Sequence, residues 1–255
     1  MRILLTNDDG YHAPGFAVLE EIARELSDDV WVCAPADEMS GAGHSLTLTT
    51  PVRLRKHDER RYAVVGTPTD SVMMGLGHVM KDKQPDLVLS GVNRGANIAE
   101  DVTYSGTVSA AMEGTLYGVR SIALSQAMGN LHDMDAFATA RAWGAKVLRP
   151  LIDMDWDDGT LLNVNFPPVA PDAVKGVRVC EQGFRDLGRT HIEQRKDTRG
   201  FDYFWFGLGR DATEPGHETD LKAMREGHVA VTPLHLDMTH YPTMEKLRGA
   251  LGDLG

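Results

Sequence analysis

Two adjacent carboxylates stand near the start of the chain, in the segment NDDG at positions 7–10. They follow a short apolar run, RILLT, which is typical of a buried strand. Adjacent aspartates repel each other, and a divalent cation with oxygen ligands removes that repulsion. Asp8 and Asp9 are therefore predicted to hold a metal ion and to take part in catalysis. The alternative is an acidic turn that caps the next helix.

A polar glycine loop, Ser40 to Gly43, follows the second apolar run, DVWVCA. The hydroxyl of Ser40 is a candidate metal ligand. The backbone at Gly41 is a candidate phosphate contact, because glycine permits close approach. The segment GAGHSL is not a dinucleotide-binding fingerprint, since its third glycine is missing and extended residues follow it. A flexible turn is the competing interpretation of this loop.

A third polar loop, SGVNRGANIAEDVTYSGT at positions 90–107, follows an apolar run and leads into a segment of helical spacing. Asn93 supplies an amide oxygen, which makes it a candidate metal ligand. Free backbone N–H groups and the positive dipole at a helix start favour a phosphate group. An ordinary N-cap is the alternative, and the loop lacks the GKS or GKT of a P-loop. The candidate phosphate-binding residues here are Asn97, Ser105, Gly106 and Thr107.

The three loops must be positioned by the elements before and after them. Apolar runs typical of buried strands alternate with segments of helical spacing, such as Phe16 to Leu26, which predicts a doubly wound α/β fold with a mostly parallel sheet. In that fold the carboxyl ends of the strands meet at one edge, where ligands bind. The loops then bring together an oxygen-only ligand set that suits Mg²⁺ or Mn²⁺. Its members are Asp8, Asp9, Ser40 and Asn93.

The remaining segments are predicted to complete a single α/β domain over residues 1–255. Ser45 to Gly66 alternates in a way that indicates a β-hairpin excursion, and the stretch FDYFWFG places four aromatic side chains in succession. A strand cannot turn all four toward one core, so an oligomer contact is as plausible as a solvated hairpin. We therefore predict a protruding arm over 184–217. We also assign residues 234–255 to a C-terminal extension. The predicted helices include Thr69 to Met80, Asp135 to Ile152 and Met244 to Leu251.

The charge balance argues against two classes of partner. Lys and Arg total 26 while Asp and Glu total 37, a formal net charge of −11, which repels duplex nucleic acid and anionic lipid. No apolar run approaches the ~20 residues that cross a bilayer, and the N-terminus has no signal-peptide core. We expect no membrane partner and a cytoplasmic location. Cys33 and Cys180 lie in apolar runs and are predicted to be buried, reduced thiols.

Together these motifs resemble the SurE survival-protein family of metal-dependent 5′-nucleotidases. The resemblance rests on NDDG, PADEMSGAGHSLTL, GTPTDSV, TPLHLDMT and, above all, the long segment PDLVLSGVNRGANIAEDVTYSGTVSAAMEG. It is dense over Met1 to Ser125 and thinner afterwards. It implies a Rossmann-like core, a C-terminal extension exchanged between subunits, and a homodimer or homotetramer.

The resemblance also implies an activity and a cofactor. The implied reaction is hydrolysis of nucleoside 5′-monophosphates, with 3′-monophosphates and polyphosphate as further substrates, by one Mg²⁺ or Mn²⁺ per subunit. Asp8, Asp9, Ser40 and Asn93 fall on the family's metal ligands. The family's phosphate-side segment covers Asn97, Ser105, Gly106 and Thr107.

Two other functions remain open from the residues alone. One is a haloacid-dehalogenase-like phosphatase with Asp8 as covalent nucleophile, although that class separates its two aspartates by one residue. The other is a non-catalytic, cation-binding oligomeric scaffold. A histidine could also protonate the leaving alkoxide, and the candidates are His12, His44, His235 and His240.

Overall fold

The computed structural model describes residues 1–129, 135–185, 190–208 and 217–252. The strands are β1 Arg2–Thr6, β2 Asp29–Pro35, β3 Arg53–Asp58, β4 Arg61–Val65, β5 Leu87–Arg94, β6 Arg120–Gln126, β7 Thr160–Phe166, β8 Val177–Val179, β9 Thr190–Lys196, β10 Asp202–Leu208 and β11 Val229–His235. The α-helices are α1 Pro14–Leu26, α2 Pro68–Met74, α3 Gly106–Leu116, α4 Ala138–Asp153, α5 Asp220–Arg225 and α6 Tyr241–Leu251. A π-helical turn, Gly75–Val79, continues α2, and 3-10 turns cover Ala99–Thr103 and Pro171–Ala173.

Nine of the described strands form one sheet in the order β3-β4-β2-β1-β5-β6-β7-β11-β8. From β4 to β7 every neighbouring pair is parallel, whereas β3 and β11 run antiparallel to β4 and β7. The chain leaves β1 toward β2 on one side and later returns to β5 on the other. The strand order therefore reverses between β1 and β5, and this switch point opens a crevice at their carboxyl ends.

Helices cover both faces of the parallel strands, as the continuous apolar runs require. Successive side chains of a strand point to opposite faces. Ile3 and Leu5 accordingly pack in the cluster that includes Phe16 of α1 and Leu148 of α4. Leu4 packs in the opposite cluster, which α2 and α3 cover. The expected doubly wound, mostly parallel α/β fold is confirmed.

The small residues of α3 let it lie close against the sheet. A methyl group at Gly114 would stand 2.4 Å from Ser121 Oγ and 3.0 Å from Val88 Cγ2. Only a glycine permits this approach without displacing the strand beneath. The close packing sets the start of α3, at Gly106, beside the carboxyl end of β1.

Several boundaries differ from the sequence expectation. The third polar loop begins later than predicted, because β5 continues through Arg94. The long helix begins at Ala138 rather than Asp135. The predicted β-hairpin excursion yields two strands, β3 and β4, which extend the main sheet at one edge. Strand β8 and helix α5 were not anticipated, because three and six residues are too few for a periodic pattern.

The predicted arm contains an antiparallel hairpin, β9–β10, which forms a separate two-stranded sheet. Parts of the predicted range 184–217, residues 186–189 and 209–216, lie outside the described residues. Strand β11 still pairs with β7 through His235, so the chain leaves the sheet only after that residue. The C-terminal segment then carries α6, on which no residue is buried. Among the described helices, none is long and apolar enough to span a bilayer.

Candidate active site

The predicted site residues meet at the switch point between β1 and β5. A cleft of about 340 Å³ opens there. Its walls carry most of the residues singled out from sequence: Asp8, Asp9, Ser40, Gly41, Asn93, Asn97 and Ser105. The end of β5 supplies Asn93 and the loops after β1, β2 and β5 supply the others, because parallel strands deliver their carboxyl ends to one edge of the sheet. Gly106 and Thr107 belong to the first turn of α3 and lie against Asp8.

Asp8 is 4% exposed at the floor of the cleft. The Thr107 hydroxyl donates a hydrogen bond to Asp8 Oδ1 at 2.5 Å, which orients the carboxylate and leaves Oδ2 unengaged by that hydroxyl. A methyl group at Gly106 would stand 2.9 Å from Oδ2. Burial raises the pKa of Asp8 to about 6, the negative charge of Asp9 adds to that rise, and the Thr107 hydrogen bond opposes it. Over the part of the chain that the structure describes, no Lys, Arg or His side chain pairs with this carboxylate.

Asp9 lies higher in the cleft and is half-buried. Its Oδ2 accepts a hydrogen bond of 3.1 Å from the backbone N–H of Arg94. Burial raises the pKa of Asp9 and the neighbouring Glu38 charge adds to that effect, while the Arg94 N–H lowers it. A cation between the two aspartates would favour both charged forms.

The neutral oxygens are arranged so that they can accept a cation. The Asn93 amide N–H donates to the carbonyl of Gly95 at 2.9 Å, which fixes the side chain and leaves the amide oxygen available. The Ser40 hydroxyl donates to Glu38 Oε1 at 3.0 Å and keeps its lone pairs. Over the described residues, no three His, Cys, Asp or Glu side chains converge to hold a metal. A cation here would therefore complete its shell with these neutral oxygens, a donor set that fits Mg²⁺ or Mn²⁺.

The candidate phosphate-binding residues are held by one local hydrogen bond and by hydrogen bonds to residues that are distant in sequence. Ser105 is the N-cap of α3, because its hydroxyl oxygen accepts the N–H of Val108 at 3.0 Å. The Asn97 amide N–H donates to Ser125 Oγ at 2.9 Å. The Asn97 backbone carbonyl accepts a 2.7 Å hydrogen bond from the Asn163 amide. The start of α3 and the loop before it are thereby fixed beside the two aspartates.

Sequence reasoning missed six residues that line the cleft, and four of these carry charged or polar side chains. The four are Glu38, Arg94, Asp101 and Tyr104. Arg94 lies between Asn93 and Gly95 of the third loop, and Glu38 lies two residues before Ser40 of the glycine loop. These positions within the motifs were the available signal that both residues belong to the site. Tyr104 is 53% exposed, and no periodic pattern distinguishes an aromatic side chain of this kind.

The candidate histidines do not line the cleft. His44 Nε2 lies 2.9 Å from Glu113 Oε2, and His12 packs edge-on against the Tyr11 ring. His240 Nδ1 lies 2.6 Å from the Thr243 hydroxyl at the start of α6. His235 Nδ1 accepts the backbone N–H of Asp237. Within one described chain, each ring is thus engaged elsewhere.

A wider depression of about 550 Å³ lies away from these loops and is lined by charged side chains near β4. Its arginines are already paired: the guanidinium nitrogens Nη1 and Nη2 of Arg61 each lie 2.7 Å from the Glu20 carboxylate. Arg60 lies 3.3 Å from Asp29. The smaller cleft, with its unpaired buried carboxylate, is therefore the better candidate for chemistry.

Comparison with known proteins identifies the family of this chain. The family model described as Survival protein SurE matches residues 3–189. A 5′-nucleotidase SurE of Erythrobacter litoralis is 61% identical over 241 residues, which cover 94% of this chain and 96% of that protein. A 5′-nucleotidase SurE of Caulobacter vibrioides is 54% identical over 254 residues, covering 99% and 97%. The crystal structure of SurE from Aquifex aeolicus superposes with a TM-score of 0.83 at 38% identity, covering 98% of this chain and 99% of that one. This chain therefore belongs to the SurE survival-protein family.

Proposed function

We propose that this chain is a divalent-metal-dependent phosphomonoesterase that hydrolyses nucleoside 5′-monophosphates to nucleoside and inorganic phosphate. The observation that carries the proposal is the juxtaposition of Asp8 and Asp9 with the start of α3 in one cleft. Carboxylates for a cation and a helix start for an anion are the two components that phosphoryl transfer requires. The names of the relatives support the choice of substrate. Nucleoside 3′-monophosphates and polyphosphate also carry a terminal phosphoryl group, so they are secondary candidates for the substrate.

Asp8, Asp9, Ser40 and Asn93 are the residues we assign to one Mg²⁺ or Mn²⁺ per subunit. A bound divalent ion of this kind polarises a phosphoryl oxygen and lowers the pKa of a coordinated water. Two observations support this assignment. The negative charges of Asp8 and Asp9 lie close enough to repel each other, and the side-chain oxygens of Ser40 and Asn93 have lone pairs available for a cation.

The chain's own groups then divide the work of catalysis. The phosphate contacts that we assign are the first turn of α3 and the loops before it, where backbone N–H groups lack partners within the helix. Asp9 keeps Oδ1 free of the Arg94 hydrogen bond, so we assign this oxygen to orienting the attacking water. Thr107 holds Asp8 in place. The phosphate-contact residues are Gly41, Asn97, Ser105, Gly106 and Thr107.

A neighbouring cavity offers room for the leaving nucleoside. It measures about 230 Å³ and shares Asp9, Glu38 and Arg94 with the cleft. Its other walls include the carbon-rich side chains of Pro14 and Phe137. A mainly apolar pocket with a few polar groups is the usual form of a small-molecule site, and we assign the nucleoside half of the substrate to it.

The test is phosphate release from AMP with Mg²⁺ or Mn²⁺ and with excess EDTA. We expect release only with the ion, and Asp9→Asn should lower kcat at least ~10³-fold, since it removes a charge that acts in the transition state. Asp37→Asn, an exposed acid that does not line the cleft, is the matched control. Near-wild-type turnover by Asp9→Asn would contradict the proposal.

The same assay separates the scaffold function, and a labelling experiment separates the covalent mechanism. A scaffold protein would bind Mn²⁺ without releasing phosphate. A covalent mechanism through Asp8 would leave radioactive phosphate on acid-quenched protein after incubation with labelled AMP. We expect no label on the protein, because adjacent aspartates fit a shared cation better than a nucleophile and a separate acid.

We also infer that the protein is a homodimer or homotetramer in the cytoplasm. The support for oligomerisation is the exposure of apolar side chains on the β9–β10 hairpin, including Trp205 at 60% and Phe206 at 76%. Cys33 and Cys180 are free and buried, which suits a reducing compartment.

A further inference from the structure

We propose that Arg185, at the root of the arm, is a positioning residue for the phosphate side of the cleft. Its guanidinium offsets one of the two negative charges of Glu100 and Asp101, and so weakens their repulsion of the phosphate of the substrate. This inference rests on the proposed function, because it concerns how the same cleft receives its anion.

The contacts of Arg185 form a compact charged cluster. Its side chain is 6% exposed, and those of Glu100 and Asp101 are 11% and 13% exposed. Nη2 lies 3.0 Å from Asp101 Oδ2, and Nη1 lies 3.5 Å from Glu100 Oε2. The Arg185 backbone N–H also donates to Glu100 Oε1. One cation thus faces two carboxylates out of water, where a charge left without a partner is costly.

One acidic member of this cluster lines the cleft, and the other is its neighbour in the chain. Glu100 and Asp101 lie in the 3-10 turn Ala99–Thr103, and Asp101 lines the cleft together with Asn97 and Ser105. A phosphate monoester carries up to two negative charges at neutral pH. Without Arg185 it would approach two further carboxylates across a partly desolvated gap, and like charges repel most strongly where water is scarce.

The residues just before the arm also fix the conformation of the 3-10 turn Ala99–Thr103. Ala99 has a φ of 53° and is the one described non-glycine residue with positive φ, a conformation that persists only where neighbours enforce it. Its carbonyl accepts a 2.9 Å hydrogen bond from the Gln182 amide. Its N–H donates to Asp220 Oδ2 at 2.8 Å, and Asp220 Oδ1 accepts the N–H of Gly183 at 2.8 Å. Residues next to Arg185 therefore clamp the same turn whose negative charge Arg185 partly offsets.

The charge argument can be separated from a merely structural role. Arg185→Met leaves two buried carboxylates beside the cleft without their cation. Adding Asp101→Asn removes one of those charges and restores the balance, although it repairs no lost hydrogen bond of Arg185. Rescue of phosphate binding by the second substitution is therefore expected from electrostatics and not from packing.

The experiment compares wild type, Arg185→Met and Arg185→Met/Asp101→Asn by titration calorimetry with inorganic phosphate in saturating Mn²⁺, and by KM and kcat for AMP. Arg178→Met, which breaks a more exposed ion pair with Glu226, is the matched control. We expect Arg185→Met to weaken phosphate binding and raise KM at least ~10-fold at low salt, and the double variant to recover most of this. An unchanged Kd in Arg185→Met, or a double variant no better than the single, would overturn the inference.

A second variant protects the test against a folding failure of Arg185→Met. Asp101→Asn alone leaves Arg185 with one carboxylate fewer, so the cleft gains positive potential. We expect this variant to bind inorganic phosphate about 2–5-fold more tightly at low salt, and equal or weaker binding would contradict the inference. The two proposals can fail separately. Lack of activity toward AMP would refute the proposed function. The phosphate-binding measurement would still test the role of Arg185, because binding requires no turnover.

Discussion

At the scale of single residues, Asp8 shows how a site can be prepared at the expense of stability. The folded metal-free chain raises the pKa of this carboxyl from 3.8 to about 6 by burying it beside Asp9. A raised pKa means that the folded state binds the proton more tightly than the unfolded state does. The stabilising effect of the proton is thus complete below pH ~4 and is lost as the pH rises through about 6.

Asp8→Asn should therefore stabilise the metal-free protein at pH 8. The shift in pKa corresponds to about 3 kcal/mol, and asparagine keeps an oxygen that can accept the Thr107 hydroxyl. In EDTA we expect the melting temperature to rise by several degrees at pH 8 and the difference to vanish near pH 4. Mn²⁺ should raise the melting temperature of wild type but not of the variant. A less stable Asp8→Asn at pH 8 would show that Thr107 needs the charge, and Asp37→Asn serves as the control.

At the scale of elements, glycines determine how closely two helices can pack. Helices α1 and α4 cover one face of the sheet and contact each other at Gly144, where a methyl group would stand 2.5 Å from Ile22 Cδ1. Helix α6 offers the opposite environment, since nothing lies within 4 Å of a methyl group at Gly249. Gly144 is therefore required by the close approach of α1 and α4, whereas no contact requires a glycine at position 249.

Substituting alanine at each position tests this difference. Gly144→Ala should lower the free energy of unfolding by ~1–3 kcal/mol, because the added carbon overpacks the α1–α4 contact. Gly249→Ala should raise it by up to ~1 kcal/mol through helix propensity alone. Urea denaturation at a fixed protein concentration measures both. Equal effects of the two substitutions would mean that α1 and α4 can separate without loss.

At the scale of the whole molecule, apolar side chains on the arm have no cover within the described chain. Phe204 is 54% exposed and Phe206 is 76% exposed, on one face of the β9–β10 hairpin. A patch of this kind, in a chain of net charge −11, is typical of a surface that contacts another copy or a partner. We expect a second copy, because the resemblance that began with the motifs implies an oligomer.

Removing that patch should change the assembly. The double variant Phe204→Ser/Phe206→Ser should sediment as a smaller species than wild type, with the same circular dichroism, because it loses apolar area that the interface would bury. Leu116→Ser is the control, since Leu116 is 60% exposed but lies on α3, away from the arm. An unchanged sedimentation coefficient in the arm variant would place the interface elsewhere.

The sequence alone determined the fold class and the three loops of the site. Both depend on short-range information: periodicity marks the strands, and motifs such as NDDG and YSGT place their functional groups within a few residues. The parallel order then brings the strand ends together by rule. The confirmed family resemblance came from the same local segments.

Tertiary structure alone decided the contacts that join distant parts of the chain. The Thr107–Asp8 hydrogen bond spans 99 positions and the Arg185–Glu100 contact spans 85, and neither partner carries a local signal of the other. The antiparallel placement of β11, the removal of the candidate histidines from the cleft and the root of the arm were likewise beyond sequence reasoning. Each depends on which packing of the whole chain has the lowest free energy, a balance of many long-range contacts that no short window of sequence contains.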